Sequence, residues 1–372
     1  MRIPEFKLER YFARWEFSAP YLLCSSDVEG WSMRELLALA DTDARRRWEE
    51  LTLGYTDTAG LPALRETIAS LYPGLEPHHV FTFAGAEEAL FVLMNVLLGA
   101  GDHAVVTWPA YQSLHELARA TGAEVTLLPL REEEGWALDL DAVRRALRPS
   151  TKLLVVNFPH NPTGALPDRA TFEALCALAQ ERGIHLLSDE VYRLLEHDAA
   201  DRLPSAAECT ARGVSLGVMS KAFGLAGLRV GWLACRDTAL LDRCAAFKDY
   251  TTICNSAPSE VLALIALRAR EQVLARSRSI LAGNLARLDD FFARHADTFR
   301  WVRPRAGSVA FPRLLRDVPI ADFCQALVEK EGVLLLPAHL YDFPGNHFRL
   351  GFGRVNLPEA LTRLERFCVQ WT

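Results

Sequence analysis

Short apolar runs alternate with amphipathic stretches through the first 235 residues. Runs at 80–83, 104–108, 124–129, 152–157, 185–189, 215–219 and 231–235 are mostly apolar, with Val and Leu the commonest residues, and predict strands, because a parallel strand covered on both faces is apolar on both. The intervening stretches have helical spacing. The clearest covers 167–182, with Pro167 near its start and Gly183 just past its end. Regular β–α alternation predicts an α/β fold, in which a mostly parallel seven-stranded sheet is sandwiched by helices. Ligands of such sheets bind at the carboxyl ends of the strands.

After Cys235 the pattern changes. Residues 259–294 read as long helical sequence. Residues 298–372 hold two short apolar runs (308–311 and 332–336), a Pro/Gly loop at 337–345 and a last helix from Pro358. This predicts a smaller α+β domain. The expected division is an N-terminal arm over 1–35 packing with the small domain, a large domain over 36–272 and a small C-terminal domain over 273–372. No internal repeat or low-complexity tract interrupts it.

Composition narrows the classes of function. The 372 residues, 50% hydrophobic and 24% charged, fit a soluble protein with a large core. A net charge of −6 argues against a nucleic-acid or anionic-membrane partner. Arg45-Arg46-Arg47 is followed by Glu49 and Glu50, which reads as a solvated helix face. The start, MRIPEFKLERYF, lacks the apolar stretch of a secretory signal, and no run reaches the ~18 apolar residues of a membrane span. The eight cysteines are scattered with no C-x-x-C pair, as expected for free thiols in the cytoplasm. His78-His79 has no partner at metal-ligand spacing, and no metal is expected. Gly351-Phe352-Gly353 lacks the third glycine of a dinucleotide loop.

The candidate chemistry centres on Ser220-Lys221-Ala222-Phe223-Gly224. One lysine follows an apolar run and precedes a small-residue turn, with Arg229 eight residues on. Any lysine taken alone is a surface lysine by default, but this setting argues against that. Asp189 ends another apolar run, inside Ser188-Asp189-Glu190-Val191-Tyr192. It is either a carboxylate facing the ligand crevice or a helix N-cap. Asn157-Phe158-Pro159-His160-Asn161-Pro162-Thr163-Gly164 follows a third strand, although its last four residues also suit a simple turn. Gly85-Ala86-Glu87 opens a helix after the first strand, where free N–H groups favour an anion, as they do in many βα turns. Tyr111, past another strand end, either stacks on a ligand ring or packs in the core.

In their order from Tyr55 to Arg349, these segments resemble the class I/II aminotransferases, which have the aspartate-aminotransferase fold (fold type I). The resemblance implies a pyridoxal 5′-phosphate cofactor held as an imine by Lys221. Asp189 would lie at its pyridine nitrogen, Tyr192 and Asn161 at its phenolic oxygen, and Tyr111 on its ring. Gly85, Ala86, Glu87 and Arg229 would hold its phosphate, and Ser220, adjacent to the lysine, would be a further cofactor contact. Lys221, Asp189 and Tyr192 would be the catalytic set. Arg349, with Asn161, would clamp the substrate α-carboxylate. Tyr55, in Gly54-Tyr55-Thr56-Asp57-Thr58, matches a tyrosine that reaches the partner subunit's phosphate, which implies a homodimer with shared active sites. The implied activity moves an amino group from an L-amino acid to a 2-oxo acid. The alternative is β-elimination, replacement or cyclisation on the same cofactor, which begins with the same proton removal. A non-enzymatic cofactor-sensing domain would need an appended module, and the cofactor pattern already begins before residue 60.

Three departures qualify the resemblance. Val218 stands where many relatives place a serine on the phosphate. Tyr250-Thr251-Thr252-Ile253 has no basic residue where dicarboxylate-specific relatives carry an arginine, which argues against aspartate and glutamate. The arm segments Arg14–Tyr21 and Cys24–Glu29 replace the family's usual glycine-proline opening and loosely resemble the subgroup containing capreomycidine synthase, which cyclises a hydroxylated arginine. Glu16, Asp27 and Glu29 in this arm either face a cationic substrate side chain or face solvent.

Overall fold

All seven predicted runs are strands of one sheet in the computed structural model, which describes residues 2–370. They are β1 (Val80–Phe83), β2 (His103–Trp108), β3 (Glu124–Pro129), β4 (Thr151–Asn157), β5 (His185–Asp189), β6 (Gly213–Val218) and β7 (Gly231–Cys235). Their order is β1-β7-β6-β5-β4-β2-β3. The β3–β2–β4–β5–β6 pairs are parallel, and β7 runs antiparallel to both neighbours. The interior strands are legible as apolar runs because both faces are covered. Leu186 and Leu187 point to opposite faces and both are fully buried. Each such side chain contributes about 1.5–3 kcal/mol by leaving water. Edge strand β3 is half-exposed and correspondingly mixed in sequence.

The antiparallel β7 has a consequence for the site. Its connection from β6 turns back at the carboxyl edge of the sheet instead of crossing over. Residues 219–230, including Lys221 and Arg229, therefore stay where β4 and β5 end. At that edge Asn157 pairs with Asp189, and the Asn157 amide donates to the Asp189 carbonyl at 2.8 Å.

Helix Arg169–Arg182 begins two residues later than predicted, because Asp168 caps it by accepting the Thr171 N–H at 2.7 Å. Gly183 ends it in the left-handed region (φ 63°), as expected. The stretch predicted as one long helix is two, Ala257–Arg268 and Arg270–Arg294, separated at Ala269. No proline or glycine marks that break.

Beyond it, Val309–Ala310, Phe348–Gly351 and Leu336–Pro337 form a three-stranded antiparallel sheet, and helix Leu357–Gln370 follows. The arm is stitched to this lobe. Tyr21 pairs with Val333, and the Gly351 N–H donates to the Leu23 carbonyl at 3.1 Å. The Gly351-Phe352-Gly353 glycines serve this path. A Cβ on Gly351 would meet Ser25 O at 1.8 Å, and one on Gly353 would meet Asp27 O at 2.4 Å. Among the described residues the eight cysteines are unpaired, no acidic, His or Cys cluster suits a metal, and no helix is long and apolar enough to cross a membrane.

Candidate active site

One cavity of about 480 Å³ opens at the carboxyl edge of the sheet. Its walls include Lys221, Asp189, Tyr192, Asn161, Arg349, Ala86, Glu87, Tyr111, Ser220 and Arg229. Ten of the predicted site residues thus converge, although they span 86 to 349 in the chain. Gly85 touches the cavity only through Arg229, because a Cβ built on it would lie 2.5 Å from Arg229 Nη2. Tyr55 is apart, 91% exposed on the outer surface.

Lys221 projects into the cavity and its Nζ donates to Ser26 Oγ at 2.8 Å. Burial holds its amine below the ordinary lysine value, against the charges of Asp27 and Asp189. Asp189 is buried, and burial raises its carboxyl to about 7. Its Oδ1 accepts the Val191 N–H at 3.2 Å within a turn, and no helix starts there, so the helix N-cap alternative does not hold. The Tyr192 hydroxyl is buried without a hydrogen bond of normal geometry, with Ser26 as its polar neighbour.

Arg349 is almost completely buried and meets only neutral acceptors. Its Nε and Nη2 donate to the Cys24 carbonyl at 3.1 and 2.9 Å. Its Nη1 donates to Tyr341 Oη at 2.7 Å and Asn161 Oδ1 at 3.3 Å. No carboxylate among the described residues pairs with it. A permanently charged group held this way leaves room for an incoming anion.

On the other side, helix Ala86–Leu97 starts after Gly85 (φ 90°) with no side-chain cap, so its first N–H groups have no capping acceptor. Arg229 sits beside them in the left-handed region (φ 52°), its Nη1 3.5 Å from Ser220 Oγ and unpaired with any carboxylate among the described residues. Val218 lines the same wall with an apolar side chain. The Glu87 side chain also faces the cavity. It accepts from Ser113, and burial raises its carboxyl.

The arm roofs the cavity. In helix Lys7–Trp15, Glu9 and Phe12 point inward, followed on the same face by the C-cap Glu16. Tyr111 Oη donates to Glu9 at 3.0 Å, and the Arg349 guanidinium lies 5.9 Å from the Phe12 ring centre. Asp27 is held bidentately by Arg354 at 2.9 and 3.0 Å. Glu29 is not at the cavity. It accepts the Val355 N–H at 3.1 Å, which makes it a local backbone acceptor.

Residues 23–364 match the model of the family "Aminotransferase class I and II". The chain belongs to this family. Capreomycidine synthase of Streptomyces vinaceus is 33% identical over 94% of this chain and 90% of its own. Aspartate/prephenate aminotransferase of Thermus thermophilus is 32% identical over 87% and 85%. The crystal structure of a pyridoxal-phosphate-dependent aminotransferase from Streptococcus suis superposes with a TM-score of 0.94 at 33% identity, covering 100% of this chain and 99% of that one. As a member of this family, the chain is a pyridoxal-phosphate-dependent aminotransferase with the aspartate-aminotransferase fold.

Sequence reasoning missed Ser26, Tyr341, Glu9 and Phe12. Ser26 and Tyr341 carry no motif, and each gains its place through a partner at least 180 residues away. The inward face of the arm helix had a signal, namely Glu9, Phe12 and Glu16 at helical spacing, but spacing alone does not say whether a face meets solvent or a cavity.

Proposed function

We propose that this enzyme transaminates L-amino acids other than dicarboxylates, with Lys221 holding the cofactor and moving the substrate proton. The observation carrying this reading is a single cavity that joins Lys221, Asp189 and Asn161 to a buried Arg349 with no counter-ion among the described residues. Three features of the chain fit pyridoxal phosphate. The orphaned Tyr192 hydroxyl, in the same cavity as Asn161, suits its phenolic oxygen. The buried Asp189 carboxylate, with no cationic hydrogen-bond partner among the described residues, suits its ring N–H. The helix start at Gly85-Ala86-Glu87, with Ser220 and Arg229, suits its phosphate, and Gly85 leaves the space that Arg229 fills.

When bound, the cofactor supplies an aldehyde that captures amines and a ring that accepts the electrons released at the substrate Cα. The side chains divide the remaining work. Asp189 holds the proton on the ring nitrogen. Lys221, whose charged form burial disfavours, would take the Cα proton on Nζ, and Ser26 Oγ would steady Nζ while it carries that proton. Arg349 grips the α-carboxylate and so fixes which Cα bond faces Lys221. Tyr111, tethered through Glu9, would pack over the ring, and the arm above it would limit water.

We assign Tyr55 to the partner's phosphate in a cytoplasmic homodimer. Leu53 (85% exposed), Tyr55 and Tyr250 (each 91% exposed) lie near the helix start, where Thr251 and Thr252 donate to Glu88 and Thr56 donates to the Asn255 carbonyl. The one-chain division into arm 1–35, large domain 36–272 and small domain 273–372 is part of this reading.

A second reading, elimination or cyclisation after the same proton removal, is favoured by the similarity to capreomycidine synthase. Single-turnover spectroscopy with an amino acid alone tests both. Accumulation of pyridoxamine phosphate and an oxo acid is expected. Release of a β-substituent with the cofactor returned unchanged would overturn transamination.

A further inference from the structure

The cavity has a side that the reaction above does not use. On the roof, Glu9 and Glu16 face inward around Phe12, and Asp27 lies beside them. Asp27 is neutralised by Arg354, and Glu9 accepts from Tyr111. The Glu16 backbone N–H donates to the Phe12 carbonyl at 2.8 Å, but its carboxylate has no hydrogen bond or ion pair among the described residues. Its position makes that costly. It caps the carboxyl end of helix Lys7–Trp15, where free carbonyls already repel an anion, and it stands near two other carboxylates. Burial and those neighbours raise its carboxyl above the ordinary range. The same chamber independently points to a ligand through the buried, counter-ion-free Arg349 and the unpartnered Tyr192 hydroxyl. An amino acid gripped by Arg349 under this roof extends its side chain among these carboxylates.

We propose that Glu16, backed by Glu9, reads a positively charged side-chain terminus, a guanidinium or an ammonium, on the amino-acid substrate. The inference rests on the carboxylate-binding role proposed for Arg349. A cationic terminus converts the unpaired Glu16 into a charge-assisted contact. A neutral one leaves the half-buried carboxylate unpaired, and an anionic one is repelled.

The test uses the cofactor-loaded enzyme and two acids that cannot turn over because they lack an α-amine, 5-guanidinopentanoate and its uncharged counterpart heptanoate. Their binding is measured by calorimetry in wild type, Glu16→Gln, Glu9→Gln and Glu29→Gln. We expect the guanidino acid to bind at least tenfold tighter in wild type. The gap should fall by roughly 10- to 100-fold in Glu16→Gln, by less in Glu9→Gln, and hold in Glu29→Gln. Half-reaction rates should follow the same order, with L-arginine and L-ornithine losing in Glu16→Gln and L-norleucine staying within a few-fold. Equal binding of the two acids by wild type, or a gap that survives Glu16→Gln, overturns the inference. A panel in which no donor of any charge reacts overturns transamination instead, and the binding comparison still decides this point.

Discussion

Asp189 offers a test with opposite signs in the two states of the enzyme. Its carboxyl is buried in the cofactor-free chain and titrates at about 7, against an ordinary value of 3.8. Burial is the main cause, and Glu190 and Glu87 add to it, while the Val191 N–H and Lys221 oppose it. Between those two values the folded chain retains a proton that the unfolded chain has lost, so stability falls as pH rises from about 4 to about 7 and then levels off. At ~1.4 kcal/mol per pH unit, that span amounts to at most about 4 kcal/mol. Asp189→Asn removes the charge but keeps the shape. The apoprotein of the variant should therefore be more stable than wild-type apoprotein at pH 8, with the advantage shrinking toward pH 5. With pyridoxal phosphate bound, the sign reverses, because the wild-type carboxylate gains a cationic partner and the amide does not. Turnover should fall by ~10³-fold or more as the ring nitrogen loses its proton-holding neighbour. Urea unfolding of apo and loaded forms at both pH values reads these differences. Parallel pH dependences in variant and wild-type apoproteins would refute the claim that the site stores an unpaired buried carboxylate.

Four further outcomes follow from the geometry. Borohydride reduction of the loaded enzyme and peptide mapping should place the cofactor on Lys221, and Lys221→Ala should give no labelled peptide and a ~10³-fold or greater loss of turnover; a label on another lysine would displace Lys221 from its role. Gly85→Ala puts a side chain at φ 90° and 2.5 Å from Arg229, so about 1–3 kcal/mol of cofactor affinity should be lost, read by retention on dialysis; full retention counts against this cradle. Arg349→Lys replaces a bidentate fork with a point charge and should raise KM by roughly 10- to 100-fold with kcat within a few-fold; an unchanged KM removes Arg349 from carboxylate binding. Gly351→Ala drives a methyl into the Ser25 carbonyl and should lift the arm, raising KM while leaving the borohydride label intact; an unchanged KM would show that the arm's seating does not matter to substrate.

Which parts of this molecule were legible follows from how far each part depends on distant chain. β4 and β5 could be read because burial on both faces leaves a continuous apolar run, and the edge residues Asn157, Asp189 and Lys221 inherit their placement from the ends of such runs. The strand carrying Arg349 did not announce itself. It has four residues with a charge second in line, and that charge stays buried only because Cys24, Tyr341 and Asn161 arrive from three separate segments. The same dependence inverts the meaning of two local patterns. Gly351-Phe352-Gly353 is an incomplete nucleotide loop when read locally, yet its glycines are the track on which the arm lies. The arm helix is amphipathic in the ordinary surface manner, and contacts from distant chain, such as Tyr111 to Glu9 and Tyr11 to the Leu335 carbonyl, turn Glu9, Phe12 and Glu16 inward. A polar face turned into a cavity must find partners there or carry the cost of lacking them. Among the described residues Arg349 and Glu16 both lack an ion-pair partner, one basic and one acidic, in the same cavity. Opposite unpaired charges in one chamber that have not paired with each other describe a ligand carrying both complementary signs, which is the form of an amino acid with a cationic side chain.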